Sequence, residues 1–392
     1  MGEHDNHWYT ARMPRLLRLP TFLLMSAAWL SACSALLMDA KPSPSASPPD
    51  AVALEGGSTT FSCPPKLRDC GGTCVDISSD SRHCGGCDSP AGSGKICAEG
   101  LSICGAGMRD DGTCKEWRAV PADTSLSFRA LWGDSPQNYW AVGDQGLLRH
   151  WNGQKWETIE SPADDYSAVG GSSSADVWLV QRQGTIDHWN GSTWQNDVLT
   201  GSVTLHGLSV LSPTSAWAAG DGRVYQWNGT AWKVSFDQLS GSMHAVCTAP
   251  TLGGGANHEI WAVGDSDAIY RRSGNGMWSG LPSPFAKRQL NGLWCDVGTE
   301  LWMVGGGGAI GYWNGLQWSS VSSPTDVDLH AVWGSNRADV WAVGDGGTIL
   351  HWTNFSWVKT SSGTQSALRT VWGTSANDVW AAGDNGTMLR LQ

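Results

Sequence analysis

The chain has 392 residues, of which 25 are Trp and 50 are Gly, and only 16% are charged. It is too apolar to be disordered throughout, it has no glycine-every-third pattern, and its net charge of −11 excludes a nucleic-acid binder, which needs clustered Lys and Arg. Each Trp buries roughly 150–250 Å², so this many of them must serve a regular structural purpose or face a ligand.

Residues 1–33 read as an address. Arg15 and Arg18 give a basic start, Leu19 to Trp29 an apolar run too short to span a bilayer comfortably, and Leu30-Ser31-Ala32-Cys33 a small-residue end. These last four residues resemble the lipobox of bacterial lipoproteins. The resemblance implies lipidation of Cys33, a start at Met13 and, with Ser34 rather than Asp next, outer-membrane sorting. An ordinary signal peptide with an incidental Cys is the alternative. Residues 34–62 are rich in Pro, Ser and Ala and read as a disordered tether.

Residues 63–114 hold Cys63, Cys70, Cys74, Cys84, Cys87, Cys97, Cys104 and Cys114 in a polar, Gly-rich setting with almost no core-forming residues. So small a segment needs staples, and an even count in an exported chain reads as a disulfide module. Zinc is the rival reading, because Cys84 and Cys87 have ligand spacing. The stretch CGGTCVDISSDSRHCGGC resembles the Stig1-like modules of exported proteins, although the later cysteines depart from that pattern. The resemblance implies an extracellular spacer and gives no chemistry.

From residue 115 onward one motif recurs. Trp140, Trp178, Trp217, Trp261, Trp302, Trp341 and Trp380 sit in variants of DVWAVGD, about one motif every 40 residues. Within a unit, LHAVWG (329–334), DVWAVGD (339–345) and GTILHW (347–352) alternate like strands, and Asn-Gly turns at 152–153, 190–191, 228–229 and 314–315 lead to a fourth strand opening with Trp. Four short strands per period predict an all-β, seven-bladed propeller of four-stranded blades over 115–392. The last unit ends inside its third strand, and residues 115–121 resemble a fourth strand, so this segment is expected to close the ring. The units, above all SANDVWAAGDNGT (375–387), resemble bacterial BNR- and YCF48-like propellers, and AIYRRSGNG (268–276) looks like tectonin lectins. These likenesses imply fold better than function. The central Trp column and its partners Trp156, Trp194, Trp232, Trp278, Trp318 and Trp357 are expected in the core between blades.

One position early in each first strand is polar: Arg129, Ser167, His206, His244, Asn291, His330 and Arg369. The turn after each second strand supplies a partner column: Asp144, Arg182, Asp221, Asp265, Gly306, Asp345 and Asp384. Three histidines in one ring invite a metal reading. Comparing the columns favours a contact instead, because every unit with Arg or His in the first has Asp in the second, and the other two units lack both. The expected contact is a carboxylate accepting from Arg or His within each blade, as in the scaffolding His–Asp pairs of WD-repeat propellers.

Function is then expected where the period breaks. The candidates for ligand binding are Arg182 in the turn of the second unit, His258 at the end of an insertion, Arg271 and Arg272 where other units have His-Trp, and Lys287 with Phe285 and Arg288 in the following loop. Cys247 and Cys295 lie on neighbouring first strands one position out of register, either as a disulfide or as two thiols. No HExxH, phosphate loop, G-x-S-x-G or glycosidase-like carboxylate pair is present, so no cofactor or metal is expected. The resulting expectation is an exported, monomeric, non-catalytic binding or scaffolding protein, held at the membrane by its lipid alone, with a glycan or another envelope protein as partner. A degenerate glycosidase or lyase propeller and a YCF48-like assembly factor are the alternatives.

Overall fold

A computed structural model describes residues 67–70, 73–77, 79, 96–98, 101–103, 106 and 114–392, except 162–163, 200–202, 240, 251–257 and 297–299. The leader with Cys33, the tether, and Cys63, Cys84, Cys87 and Cys104 lie outside the described residues. In the cysteine-rich stretch Arg68–Asp69 pairs with Cys74–Val75 and Ile96–Ala98 with Leu101–Ile103, and Cys70, Cys74 and Cys114 are disulfide-bonded.

Residues 115–392 form seven four-stranded antiparallel sheets. We number them blades 1 to 7 in chain order, with first strands Phe128–Ser135, Tyr166–Ser173, Leu205–Ser212, Met243–Pro250, Leu290–Cys295, Leu329–Asn336 and Leu368–Ser375. Blade 7 borrows its outer strand from the other end of the propeller. Trp117–Ala119 pairs with Met388–Leu391, and the backbones of Glu116 and Gln392 exchange hydrogen bonds of 2.8 and 2.9 Å. The ring is closed by hydrogen bonds, which leaves no open sheet edge between first and last blade.

Tryptophan holds the blades together. Each central Trp is at most 9% exposed and meets, nearly edge to face, the Trp that opens the fourth strand of the next blade. The seven contacts run from Trp140–Trp194 round to Trp341–Trp117 and Trp380–Trp156, with centroids 5.2–6.3 Å apart and interplanar angles of 72–87°. Edge-to-face geometry adds about 0.5–1.5 kcal/mol per pair beyond the area buried, so the Trp count is explained by sevenfold repetition.

The Asn-Gly turns are four residues long. In each, Gly153, Gly191, Gly229 or Gly315 takes φ near +90°, while the Asn side chain accepts from the backbone two and three residues on, at 3.0–3.1 Å. Asn is needed here as an acceptor, so the two-residue primed turn that the dipeptide favours does not form. Cys247 and Cys295 form a disulfide that ties the first strands of blades 4 and 5, with Cα atoms 6.0 Å apart.

Candidate functional site

The two polar columns come together at the end of the propeller where second strands turn into third strands. Arg129 grips Asp144 through Nε (2.7 Å) and Nη2 (2.5 Å), and Arg369 grips Asp384 in the same way at 3.1 and 2.6 Å. The imidazole Nε2 atoms of His206, His244 and His330 lie 3.2, 2.7 and 2.7 Å from Asp221, Asp265 and Asp345. Neighbouring pairs touch. Arg369 Nη1 reaches His330 Nε2 (2.7 Å), Arg129 Nη1 lies 3.8 Å from Asp384, Ser242 donates to Asp221, and the His206 and His244 rings are 5.3 Å apart. The result is two arcs of paired charge, one over blades 6, 7 and 1 and one over blades 3 and 4.

Electrostatics follow the pairing. The bond to Asp144 raises the Arg129 pKa against the opposing effect of burial, and the bond from Arg369 lowers that of Asp384. At Asp221 burial works against the charge, but bonds from Ser242, Thr204 and His206 outweigh it and the pKa falls. Burial lowers the pKa of His206, the bond to Asp221 opposes this, and the nearby charges of His244 and Arg182 lower it further. Among the described residues no group of three or more His, Cys, Asp or Glu is placed to hold a metal ion.

The arcs break at blades 5 and 2. Asn291 donates across to Leu329 O (2.8 Å), and Ser167 donates to Val180 O (3.3 Å) within its own blade. Arg182 is half-buried, its Nε has no hydrogen-bond partner, and among the described residues no carboxylate pairs with it. It is the one basic residue of the two columns without an acid from its own blade.

Arg271 has a different role from the free ligand-binding cation expected. Its guanidinium grips Glu259 through both Nε (3.0 Å) and Nη2, and lies 5.3 Å from the centroid of Trp261. It belongs to a second set of pairs joining the start of a second strand to the third strand: Asp176–His188 and Asp339–His351 at 2.7 Å, Asp378–Arg390 at 2.8 Å, and Asn138–His150 at 2.7 Å. His188 and His351 stack flat on Trp178 and Trp341, with centroids 3.6 and 4.0 Å apart, and Trp178 Nε1 donates to Asp176. The signal for this set is an acid or amide two residues before the central Trp and a base ten residues after it, in blades 1, 2, 4, 6 and 7.

Arg272 takes the place of a Trp between blades and lies 5.1 Å from the Trp217 centroid, where burial lowers its pKa. His258 begins the second strand of blade 4, opposite Pro250. Lys287 is exposed at φ +53°, its backbone N–H donating to Asp267, and Arg288 donates to the carbonyls of Gly306 and Gly307.

No protein-family model matches the sequence, and no curated protein matches it. Solved propellers match its structure. YCF48 bound to D1 peptide is 20% identical over 70% of this chain and 96% of its own, with a TM-score of 0.57. YCF48 from Cyanidioschyzon merolae is 16% identical over 70% and 98%, also at 0.57. Virginiamycin B lyase from Staphylococcus aureus is 12% identical over 71% and 99%, at 0.60. Likeness at this level establishes a YCF48-like, seven-bladed propeller fold.

Proposed function

We propose that the chain is an exported, lipid-anchored, non-catalytic binding protein that engages another envelope protein or a glycan at the mouth of its propeller. The observation that carries this reading is the state of the polar rings. Arg129, His206, His244, His330 and Arg369 are each held by an Asp of their own blade, while the half-buried Arg182 has no acid from its blade. A half-buried guanidinium without an acid favours an anionic group arriving on a partner. A structural neighbour is described as bound to a peptide, which makes protein partnering a reasonable use of this fold. Disulfide bonds at Cys70, Cys74, Cys114, Cys247 and Cys295 support an oxidising, exported setting. Lipidation of Cys33 and the outer-membrane location rest on the leader sequence.

The test is capture from envelope fractions by the purified full chain, followed by reconstitution with the isolated partner. An envelope component bound by the wild type and weakened by about tenfold or more in Arg182→Ala is the expected result. Turnover of a glycan substrate by the purified protein, or capture indifferent to Arg182, would overturn the reading.

A further inference from the structure

Blade 2 departs from its six siblings in register-matched positions, and the departures converge on one cavity. The first residue of its first strand is Tyr166, where the other blades have Phe128, Leu205, Met243, Leu290, Leu329 and Leu368. The residue opposite is Gln181, where every other blade has Gly. Those glycines are required by close approach, since a Cβ on Gly143, Gly220, Gly264, Gly305, Gly344 or Gly383 would run into the carbonyl that precedes the first strand. In blade 2 the turn runs from Gln181 to Gly184, closed by the Gly184 N–H on Gln181 O, without the short 3-10 turn of blades 1 and 4 to 7. On the third strand Asp187 occupies the place of Arg149, Tyr225, Tyr270, Gly311, Leu350 and Leu389.

These residues line a cavity of about 420 Å³ between blades 1 and 2, within the range of about 300–1,000 Å³ typical of ligand pockets. Leu148 and Leu179 give it an apolar wall and Trp194 an aromatic one. Trp194 is 37% exposed, whereas its counterparts Trp117, Trp318 and Trp357 are at most 7% exposed and Trp156, Trp232 and Trp278 are half-buried. Asp187 organises the polar side. It accepts from Gln181 Nε2 (2.8 Å), Asn196 Nδ2 (2.7 Å) and the Tyr166 hydroxyl (3.5 Å), which also lies 2.6 Å from Ser161 Oγ. Burial and Asp187 push the Tyr166 pKa up to about 12, so the phenol keeps its proton.

We propose that this cavity is a carbohydrate subsite that takes a neutral sugar ring against Trp194. With three neutral donors already on Asp187, its carboxylate serves as an anchor that fixes two amide side chains by their NH₂ groups. The amide oxygens of Gln181 and Asn196 are then the acceptors left for a ligand, beside the hydroxyl of Thr185. Hydroxyl groups on an apolar-faced ring match such neutral acceptors next to an exposed indole. A cationic side chain would find only Glu160 as an uncommitted carboxylate on the cavity wall. This inference rests on the chain being a binding protein, but uses a surface separate from the unclaimed nitrogen of Arg182.

The test is binding of the full chain to a printed array of neutral hexose and N-acetylhexosamine oligosaccharides, with the strongest hit titrated calorimetrically. Binding should weaken by about tenfold or more in Trp194→Ala and in Asn196→Ala, the latter at an exposed position where the fold is not at risk, and should persist in Phe355→Ala at a solvent-facing residue elsewhere. Silence across the array, indifference to Trp194 and Asn196, or binding of a lysine-rich peptide in place of sugar would overturn the assignment. Arg182-dependent capture of an envelope protein together with a silent array would remove this subsite and leave the broader reading standing.

Discussion

Blades 2 and 6 are the two extremes of one design. In blade 6 both polar pairs of the repeat are formed: His330 with Asp345, and His351 with Asp339 while stacked on Trp341. Its Gly344 lets strand and turn close against each other, and its Trp357 is 4% exposed. Blade 2 keeps the inner stack, His188 on Trp178 with Asp176, but gives up the mouth pair, the close-approach glycine and the covered outer Trp. The difference separates what the propeller needs to stand from what it can vary. The Trp ladder and the stacked pairs hold the blade, and the turn and outer strand are free to diverge.

That contrast can be broken in several ways. The largest effect should come from the ladder. Trp341→Ala removes a fully buried ring and should cost about 3–5 kcal/mol in denaturant unfolding, whereas Trp194→Ala, already exposed, should cost less than half as much. Equal losses would show that blade 2 is packed like the rest. Next is the glycine. Gly344→Ala should destabilise by about 1–3 kcal/mol because its Cβ meets the Asp328 carbonyl, while Gln181→Gly should leave the melting temperature within a few degrees of the wild type.

Smaller effects separate the two sets of pairs. Asp339→Ala strips an acceptor from His351 and Ser335 and should cost about 1–3 kcal/mol. Asp345, whose side chain is 45% exposed, should cost only about 0–1 kcal/mol on the same change. The smallest effect is a titration. Arg182 lowers the pKa of His206, so Arg182→Ala should raise it in an NMR titration, since removing a nearby positive charge favours protonation. With the folded pKa below the unfolded value of 6.5, His206 takes stability away as pH falls through that value, because the unfolded chain binds the proton more readily. The loss should be smaller in the variant.

The fold was legible because it is repetitive. A 40-residue period, Asn-Gly turns and a fourth strand stranded at the wrong end of the chain specify seven blades and their closure. The mouth pairs were legible for the same reason, since seven units show which positions change together. The stacked set, with Arg271 and Glu259 in it, carried a comparable signal in residues two before and ten after the central Trp of five units. It was hidden because Arg271 looked like a departure when it is a substitution of one base for another. The Cys247–Cys295 bond stayed open because its cysteines occupy unequal positions on their strands, and only the stagger between blades brings their Cα atoms within 6.0 Å. The cavity was not legible. Tyr166, Gln181, Asp187 and Asn196 come from four strands, and only sheet register makes them neighbours.

Repetition builds the scaffold, and the proposed recognition lies where blade 2 departs from it. Its most direct test is a variant whose blade 2 is made regular, Tyr166→Leu, Gln181→Gly and Asp187→Leu together, compared with the wild type in melting temperature and in binding to the neutral oligosaccharide array. The expected result is a folded protein that melts at or above the wild-type temperature and has lost its oligosaccharide ligand. Undiminished binding by the regularised protein would contradict it.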